Sequence, residues 1–404
     1  MNIKRLVLGT AAGALAVTGA QAADLPVVVE PVEYVRICDA YGAGFYYIPG
    51  TETCLRVAGR VRVDYQFFGD LDEDDFILSG LGYDDDADAG YRFRARAYVY
   101  MDSRTSTEFG LLRTYTELQF TRDNAGGVAV NLEEAFIQFG GLTFGRTRSF
   151  WDFIDAQFGS AFFFATEGSD RKINLAGYTA AFGNGFSASI SVEDMATRSA
   201  GIFNTATGFG ADQRVAWVPD LVANIRVDQG WGSAALRGAV GWREAGVFNG
   251  NGDFAESDSD VMFAVGAGVA VNVPFGNGTT IGLQGAYAHG GADYLSGDLA
   301  GYVFDGQYNP VSNDLDLYDG FSVAGGFSTN FTPAIAYSLG AGYAFIDTKD
   351  DLGDVNTVTI DSYLTYEVVR GFILGAGIQY KYVDTSDIGD DSALAGFLRA
   401  QRTF

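Results

Sequence analysis

The chain has 404 residues, with 26 Lys plus Arg against 51 Asp plus Glu, one His and two Cys. A net charge of −25 excludes a broad basic surface, and with it nucleic acid as a partner. A Ser-His triad or a His-rich metal site would have to be built around His289 alone, and no Gly-x-Ser-x-Gly is present, so no catalytic residue, metal or cofactor is expected.

Met1 is followed by Lys4 and Arg5, an apolar run from Leu6 to Val17, and Ala20-Gln21-Ala22. That is the layout of a secretory signal peptide over 1–22, cleaved near Ala22, with a run too short to span a bilayer. Its removal takes away two basic residues, so the mature chain 23–404 carries −27. Residues 23–53 read as a short extension ahead of the first spanning strand. Cys38 lies in it and Cys54 directly follows it, 16 apart, and an even count in an exported chain predicts one disulfide, two buried free thiols being the alternative.

From residue 54 onward the sequence alternates with period 2. In 54–68, Val57, Val61, Val63, Tyr65 and Phe67 share one face, and Arg56, Arg60, Arg62 and Asp64 the other. In 91–101, Tyr91, Phe93, Ala95 and Val99 alternate with Arg92, Arg94, Arg96 and Tyr98. The predicted strands are 54–68, 90–102, 107–122, 130–140, 141–149, 172–182, 185–194, 212–228, 232–243, 259–273, 278–289, 317–330, 333–346, 354–369, 371–384 and 392–404. Many are longer than a globular strand and suit a tilted bilayer crossing of about 9–11 residues. The uncharged stretch 261–292 is broken by Gly266, Gly268, Asn272 and Pro274, which argues against a membrane helix. Keeping 212–228 whole across Pro219-Asp220 makes short turns and long loops alternate around sixteen strands. The long segments 69–90, 147–171, 195–211, 244–258 and 290–316 then share one side.

Large apolar residues occupy one face of these strands and small or polar residues the other. In 259–273, Val261, Phe263, Val265, Val269 and Val271 oppose Met262, Ala264, Gly266, Gly268 and Ala270. A soluble barrel would turn the large face inward. Turned to lipid, it leaves a roomy lumen, so the fold expected is an all-β, 16-stranded antiparallel transmembrane β-barrel around an aqueous channel. Its chemistry is then a filter. The basic wall of the constriction is assigned to Arg60, Arg62, Arg92, Arg94, Arg96 and Arg113. The acidic side is assigned to segment 147–171, the third loop, with Asp152, Asp155, Glu167 and Asp170 among Trp151, Phe153, Phe158, Phe162, Phe163 and Phe164. That many aromatic residues predict a loop folded inward against the wall; packing on a neighbouring subunit is the alternative, as is arginine pairing with inward acids such as Asp64 and Glu117. Segment 69–90 carries nine acids and no base, which reads as a solvated loop or one bridged by divalent cations to lipopolysaccharide.

The stretch Val32-Glu33-Tyr34-Val35-Arg36-Ile37-Cys38-Asp39-Ala40-Tyr41-Gly42, continuing to Cys54-Leu55-Arg56-Val57, resembles the N-terminal signature of alphaproteobacterial porins of the rhizobial and Brucella type. Gly141-Leu142-Thr143-Phe144-Gly145-Arg146 is similar to the strand that leads into their constriction loop. Arg399-Ala400-Gln401-Arg402-Thr403-Phe404 is similar to their ending, where the terminal Phe404 matches the outer-membrane assembly signal. The resemblance implies an outer-membrane homotrimer in lipid and lipopolysaccharide, a third loop folded into each pore, and passive diffusion of small hydrophilic solutes and ions. A substrate-selective channel with a solute-binding constriction loop is the competing reading, and an outer-membrane enzyme a more distant one.

Overall fold

The computed structural model describes residues 36–70, 90–124, 127–154, 168–213, 218–248, 254–274, 277–297, 303–349, 353–386 and 389–404. The predicted signal peptide, most of the acidic segment 69–90, Asp155 and Glu167, and Phe158, Phe162, Phe163 and Phe164 lie outside these residues.

Sixteen antiparallel strands close into a ring: β1 (Cys54–Asp70), β2 (Tyr91–Thr107), β3 (Gly110–Arg122), β4 (Ala129–Phe139), β5 (Leu142–Arg148), β6 (Lys172–Gly183), β7 (Phe186–Glu193), β8 (Asp220–Gln229), β9 (Gly232–Phe248), β10 (Phe254–Asn272), β11 (Asn277–His289), β12 (Asp319–Thr332), β13 (Ile335–Asp347), β14 (Asp354–Val369), β15 (Phe372–Thr385) and β16 (Gly389–Thr403). Each pairs with the next, and β1 closes on β16 from Arg60↔Thr403 to Asp70↔Ala393. Hydrocarbon offers no partner to backbone N–H and C=O groups, so a sheet that spans it must leave no edge.

The alternation decides which way the sheet faces. Val57, Val61, Tyr65, Phe67, Phe93, Ile225, Leu236, Phe263, Val265, Leu283 and Leu398 are exposed on the outer wall. A soluble protein would bury such a surface; on this barrel it is the lipid-facing wall. Aromatic pairs mark its outer end, with Tyr65 stacked on Tyr91 (5.7 Å), and its inner end, with Phe331 on Tyr337 (5.8 Å).

Two predicted elements differ from the structure. Segment 212–228 is not one continuous strand: Asp212–Gln213 and Asp220–Gln229 both pair with β9, and the regular strand begins just past Pro219, which has no N–H to give a ladder. The crossing parity is unchanged. The loop predicted at 244–258 is mostly strand, since β9 and β10 run on as a hairpin to Phe248↔Phe254. Glu256, Asp258 and Asp260 break the apolar alternation there because that part of the hairpin stands above the lipid.

The segments after β7 and β11 form a second, four-stranded sheet at the outer rim, in which Gly306–Asn309 pairs in parallel with Phe203–Asn204. A single helical turn, Ala292–Leu295, is buried below it. At the other end, Cys38 and Cys54 are joined by a disulfide that closes a hairpin on the base of β1. Phe45 is buried inside it. Opening a loop of 16 residues forgoes roughly 3 kcal/mol in the chain-entropy model. In the paired Cys38→Ser, Cys54→Ser variant, the Cys38 amide, bonded to Phe45 O at 3.0 Å, should therefore exchange with solvent about a hundredfold faster, while barrel amides keep their rates. Unchanged exchange would show that the hairpin holds without the bond.

Candidate functional site: the inner wall of the barrel

The inner wall has two unlike sides. On β1, β2, β3 and β16 it is lined with arginine, because alternation turns every second residue of Arg92 to Arg104 and of Arg56 to Asp64 inward. Arg62 and Arg96 are direct cross-strand neighbours, an arrangement that repels unless something screens it. Asp64 supplies part of the screening, 2.9 Å from Arg62 Nε and 2.7 Å from Arg399 Nε. Arg94 forks onto Asp123 at 2.7 and 2.8 Å. Arg92 donates to Gln66 Oε1, and Arg96 to Thr121 Oγ1 at 2.9 Å. The Arg60 guanidinium lies 3.8 Å from the centroid of the Tyr98 ring. Arg113 sits lower, on Asp102. All six predicted arginines therefore share one quadrant of the wall. Glu117 faces Lys172 at 3.8 Å.

The opposite side, β7 to β10, receives the start of the third loop. Glu193 at the end of β7 accepts Ser149 Oγ (2.6 Å) and the Phe150 amide (2.9 Å). Asn224 of β8 donates to Phe150 O at 2.7 Å, and Arg237 of β9 to Trp151 O at 3.1 Å while lying over the indole. Trp151 is fully buried and donates its Nε1 to Tyr294 O. Glycines leave the room for these rings. A Cβ on Gly177 would meet the Phe150 ring at 2.6 Å, and one on Gly268 the Phe153 ring at 2.4 Å. Residues 149–154 thus lie against the lumen face of the wall.

Two buried arginines tie the loops after β5, β7 and β11 together. Arg198 donates to Asp293 Oδ2 (3.0 Å) and Ser169 Oγ (2.7 Å) and stands near Asp152 (3.6 Å) and Glu193 (3.8 Å). Arg243 grips Asp220 at 3.0 and 3.2 Å and approaches Asp305 at 3.5 Å. Tyr294 donates to Asp220, and Arg171 pairs with Asp293. Burial disfavours the Arg198 cation, but Tyr294, Asp152, Asp293 and Glu193 outweigh it and hold the group above its ordinary value. Burial pushes Asp305 up to about 6, against the pull of Arg243.

Of the predicted acidic residues, Asp152 is turned into this clasp and accepts the Arg171 amide at 2.7 Å. Asp170 is half exposed beside Arg148 at 3.8 Å. Sequence reasoning missed Arg104 and Arg399, although extending the same alternation would have found them. It also missed Arg243, which the alternation of β9 turns inward, and Arg171, Arg198, Asp220, Asp293 and Asp305, which stand in or beside irregular segments with no period to follow. His289 sits at the rim, its Nδ1 3.0 Å from Asp319 Oδ1.

A closed sixteen-stranded barrel with an apolar outside and an arginine-lined inside is an outer-membrane channel. The chain belongs to the porin family: residues 24–399 match the family model described as Porin subfamily. It is 32% identical to Porin Omp2b of Brucella suis biovar 1 over 422 aligned residues, covering 100% of both chains. Its fold is similar to that of the outer membrane channel DcaP of Acinetobacter baumannii, with a TM-score of 0.70 at 18% identity over 89% of this chain and 99% of that one. It is also similar to the trimer form of OmpT, an outer membrane protein of Vibrio cholerae, with a TM-score of 0.50 at 11% identity over 88% and 100%.

Arg198→Met leaves buried carboxylates uncompensated, at a cost of about 3–5 kcal/mol. The outer loops of this variant should become cleavable by protease while the barrel keeps its heat-resistant mobility in detergent gels; intact loops would remove Arg198 from this role. For Asp305, a native value raised from 3.8 means that its contribution is complete below about pH 4 and is lost as pH rises through about 6. Asp305→Asn should flatten the change in thermal stability between pH 4 and 7, and an unaltered profile would contradict the assignment.

Proposed function

We propose that this porin is a passive channel for small hydrophilic solutes and ions, and that its narrowest point lies between the arginine wall and the third loop. The observation that carries this is their placement. The loop is anchored on β7 to β10, and in a ring of sixteen strands these stand across the lumen from β1 to β3. A loop leaving that anchorage into the lumen brings carboxylates to face guanidinium groups, giving a transverse field at the constriction. Arg60, Arg62, Arg92, Arg94, Arg96 and Arg113 form the basic side. Asp155, Glu167 and Asp170 are assigned the acidic side, and Asp152 anchors the loop through Arg171 and Arg198. The chain is assigned transport and no catalysis.

With residues 1–22 removed, the protein is placed in the outer membrane as a homotrimer, in keeping with the trimer form of OmpT. The apolar outer wall meets lipid, and the acidic outer loops are assigned contact with lipopolysaccharide through divalent cations. Phe404, whose backbone pairs with Gly59 at 2.9 and 3.0 Å, is assigned the assembly signal.

Replacing Arg92, Arg94 and Arg96 together by Gln should raise the cation-to-anion permeability ratio roughly twofold or more in reversal-potential recordings under a KCl gradient. An unchanged ratio would remove this row from the constriction.

A further inference from the structure

Arginine also gathers below the constriction, toward the periplasmic end. Asp102 of β2, with a side chain only 1% exposed, accepts two guanidinium forks. Arg104 reaches it through Nε (3.1 Å) and Nη2 (2.8 Å), and Arg113 of β3 through Nε (3.1 Å) and Nη2 (3.2 Å). Arg56 of β1 stands 3.9 Å from the same carboxylate and is 41% exposed. Three guanidiniums therefore meet one carboxylate. Among the described residues no other carboxylate lies within ion-pair distance of any of them; Glu117, the nearest acid along β3, is engaged by Lys172.

A patch kept only to hold strands together would match charge to charge, since like charges directly opposite destabilise a sheet. Here Arg104 and Arg113 are direct cross-strand neighbours, and the patch retains two positive charges. It is also held in shape. Phe45 of the disulfide-closed hairpin lies 5.1 Å from the Arg56 guanidinium and 4.9 Å from that of Arg104, and Tyr41 anchors the hairpin to β2 through Ser106 Oγ at 2.6 Å. Aromatic faces carry the planar side of these guanidiniums and leave N–H edges of Arg56 and Arg104 without a partner among the described residues.

We propose that Arg56, Arg104 and Arg113 form a binding station for a small divalent oxyanion at the periplasmic end of the pore, shaped by the disulfide-closed hairpin. The excess charge of two matches a dianion, and the guanidinium fork of Arg56 suits the oxygen spacing of phosphate or sulfate. The station rests on the reading of this wall as the lining of an open channel, and it adjoins the lower edge of the constriction through Arg113, while Arg56 and Arg104 lie below it.

The test is single-channel recording of the full-length mature protein in KCl at pH 8, with inorganic phosphate or sulfate added from the periplasmic side. Both should reduce the current saturably. At pH 5.5, where phosphate carries one charge and sulfate still two, the phosphate effect should weaken and the sulfate effect persist. Arg56→Gln, which leaves both forks on Asp102 intact, should raise the half-blocking concentration about tenfold. Arg56→Lys, which keeps the charge without the fork, should fall between. The Arg92, Arg94, Arg96 triple variant should keep the block. A wild-type current that phosphate and sulfate never saturate, or a block untouched by Arg56→Gln in a channel that still conducts, overturns the station. A chain that conducts no ions at all would instead overturn the channel reading on which it rests.

Discussion

Every feature of this protein depends on a requirement of the backbone: inside a bilayer each N–H and C=O must find its partner within the sheet. The seam between β1 and β16 meets it over eleven residues of each strand, from Arg60↔Thr403 to Asp70↔Ala393. Asp64 crosses that seam to Arg399, so closure is also held by an ion pair on the inner side. Once the ring is closed, period-2 alternation has only one use left, which is to separate a lipid face from a lumen face. That makes the charged wall a consequence of the fold: a strand that must show Val, Tyr and Phe outward every second residue is free to show Arg inward at the others.

The two sides of the lumen are specialised by side-chain size. On β6 and β10, Gly177 and Gly268 admit the rings of Phe150 and Phe153, and neither position has space for a methyl group. On β1 and β2 the inward positions hold long cationic side chains braced by Tyr98 and Gln66. A loop can therefore dock on one side only. The clasp of Arg198 and Arg243 then ties its two ends to the loops after β7 and β11, so three outer loops behave as one mechanical unit at the rim. Charges buried this thoroughly hold only as a set, because removing any cation strands carboxylates that water does not reach.

All sixteen strands were legible because their signal is local: one face greasy, the other not, for at least the 7 residues of β5. The reading fails where a local pattern no longer reports surroundings. Glu256 and Asp258 read as loop, yet they belong to a hairpin that has left the lipid. Pro219 marks a true interruption that crossing parity alone passes over. At the site, the wall arginines followed from parity, since residues two apart on a strand share a face. The clasp did not. Arg198 meets Asp152, Glu193 and Asp293 from across three loops, and nothing in the spacing of those residues encodes that they converge. Asp152 looked like a pore-facing carboxylate because its partners, Arg171 and Arg198, are distant in sequence or hidden in a loop.

The distribution of charge along the axis has a consequence for permeation. Acidic residues gather at the outer rim, where Glu256, Asp258, Asp260, Asp314, Asp316 and Asp319 stand on β10, β12 and the rim sheet, while the arginines lie within the wall on β1 to β3 and β16. A wholly acidic pore would concentrate cations and repel anions along its full length, and a wholly basic one the reverse. Stacking an acidic mouth over a basic wall gives each sign one favourable region and one unfavourable region in series. The barrier for either ion is then set by the narrowest part of its unfavourable region, not by net charge. With the arginine wall at the constriction as proposed, a net charge of −25 does not by itself bar anions. The deciding quantity is how much of the wall's charge Asp64, Asp102 and Asp123 leave uncancelled.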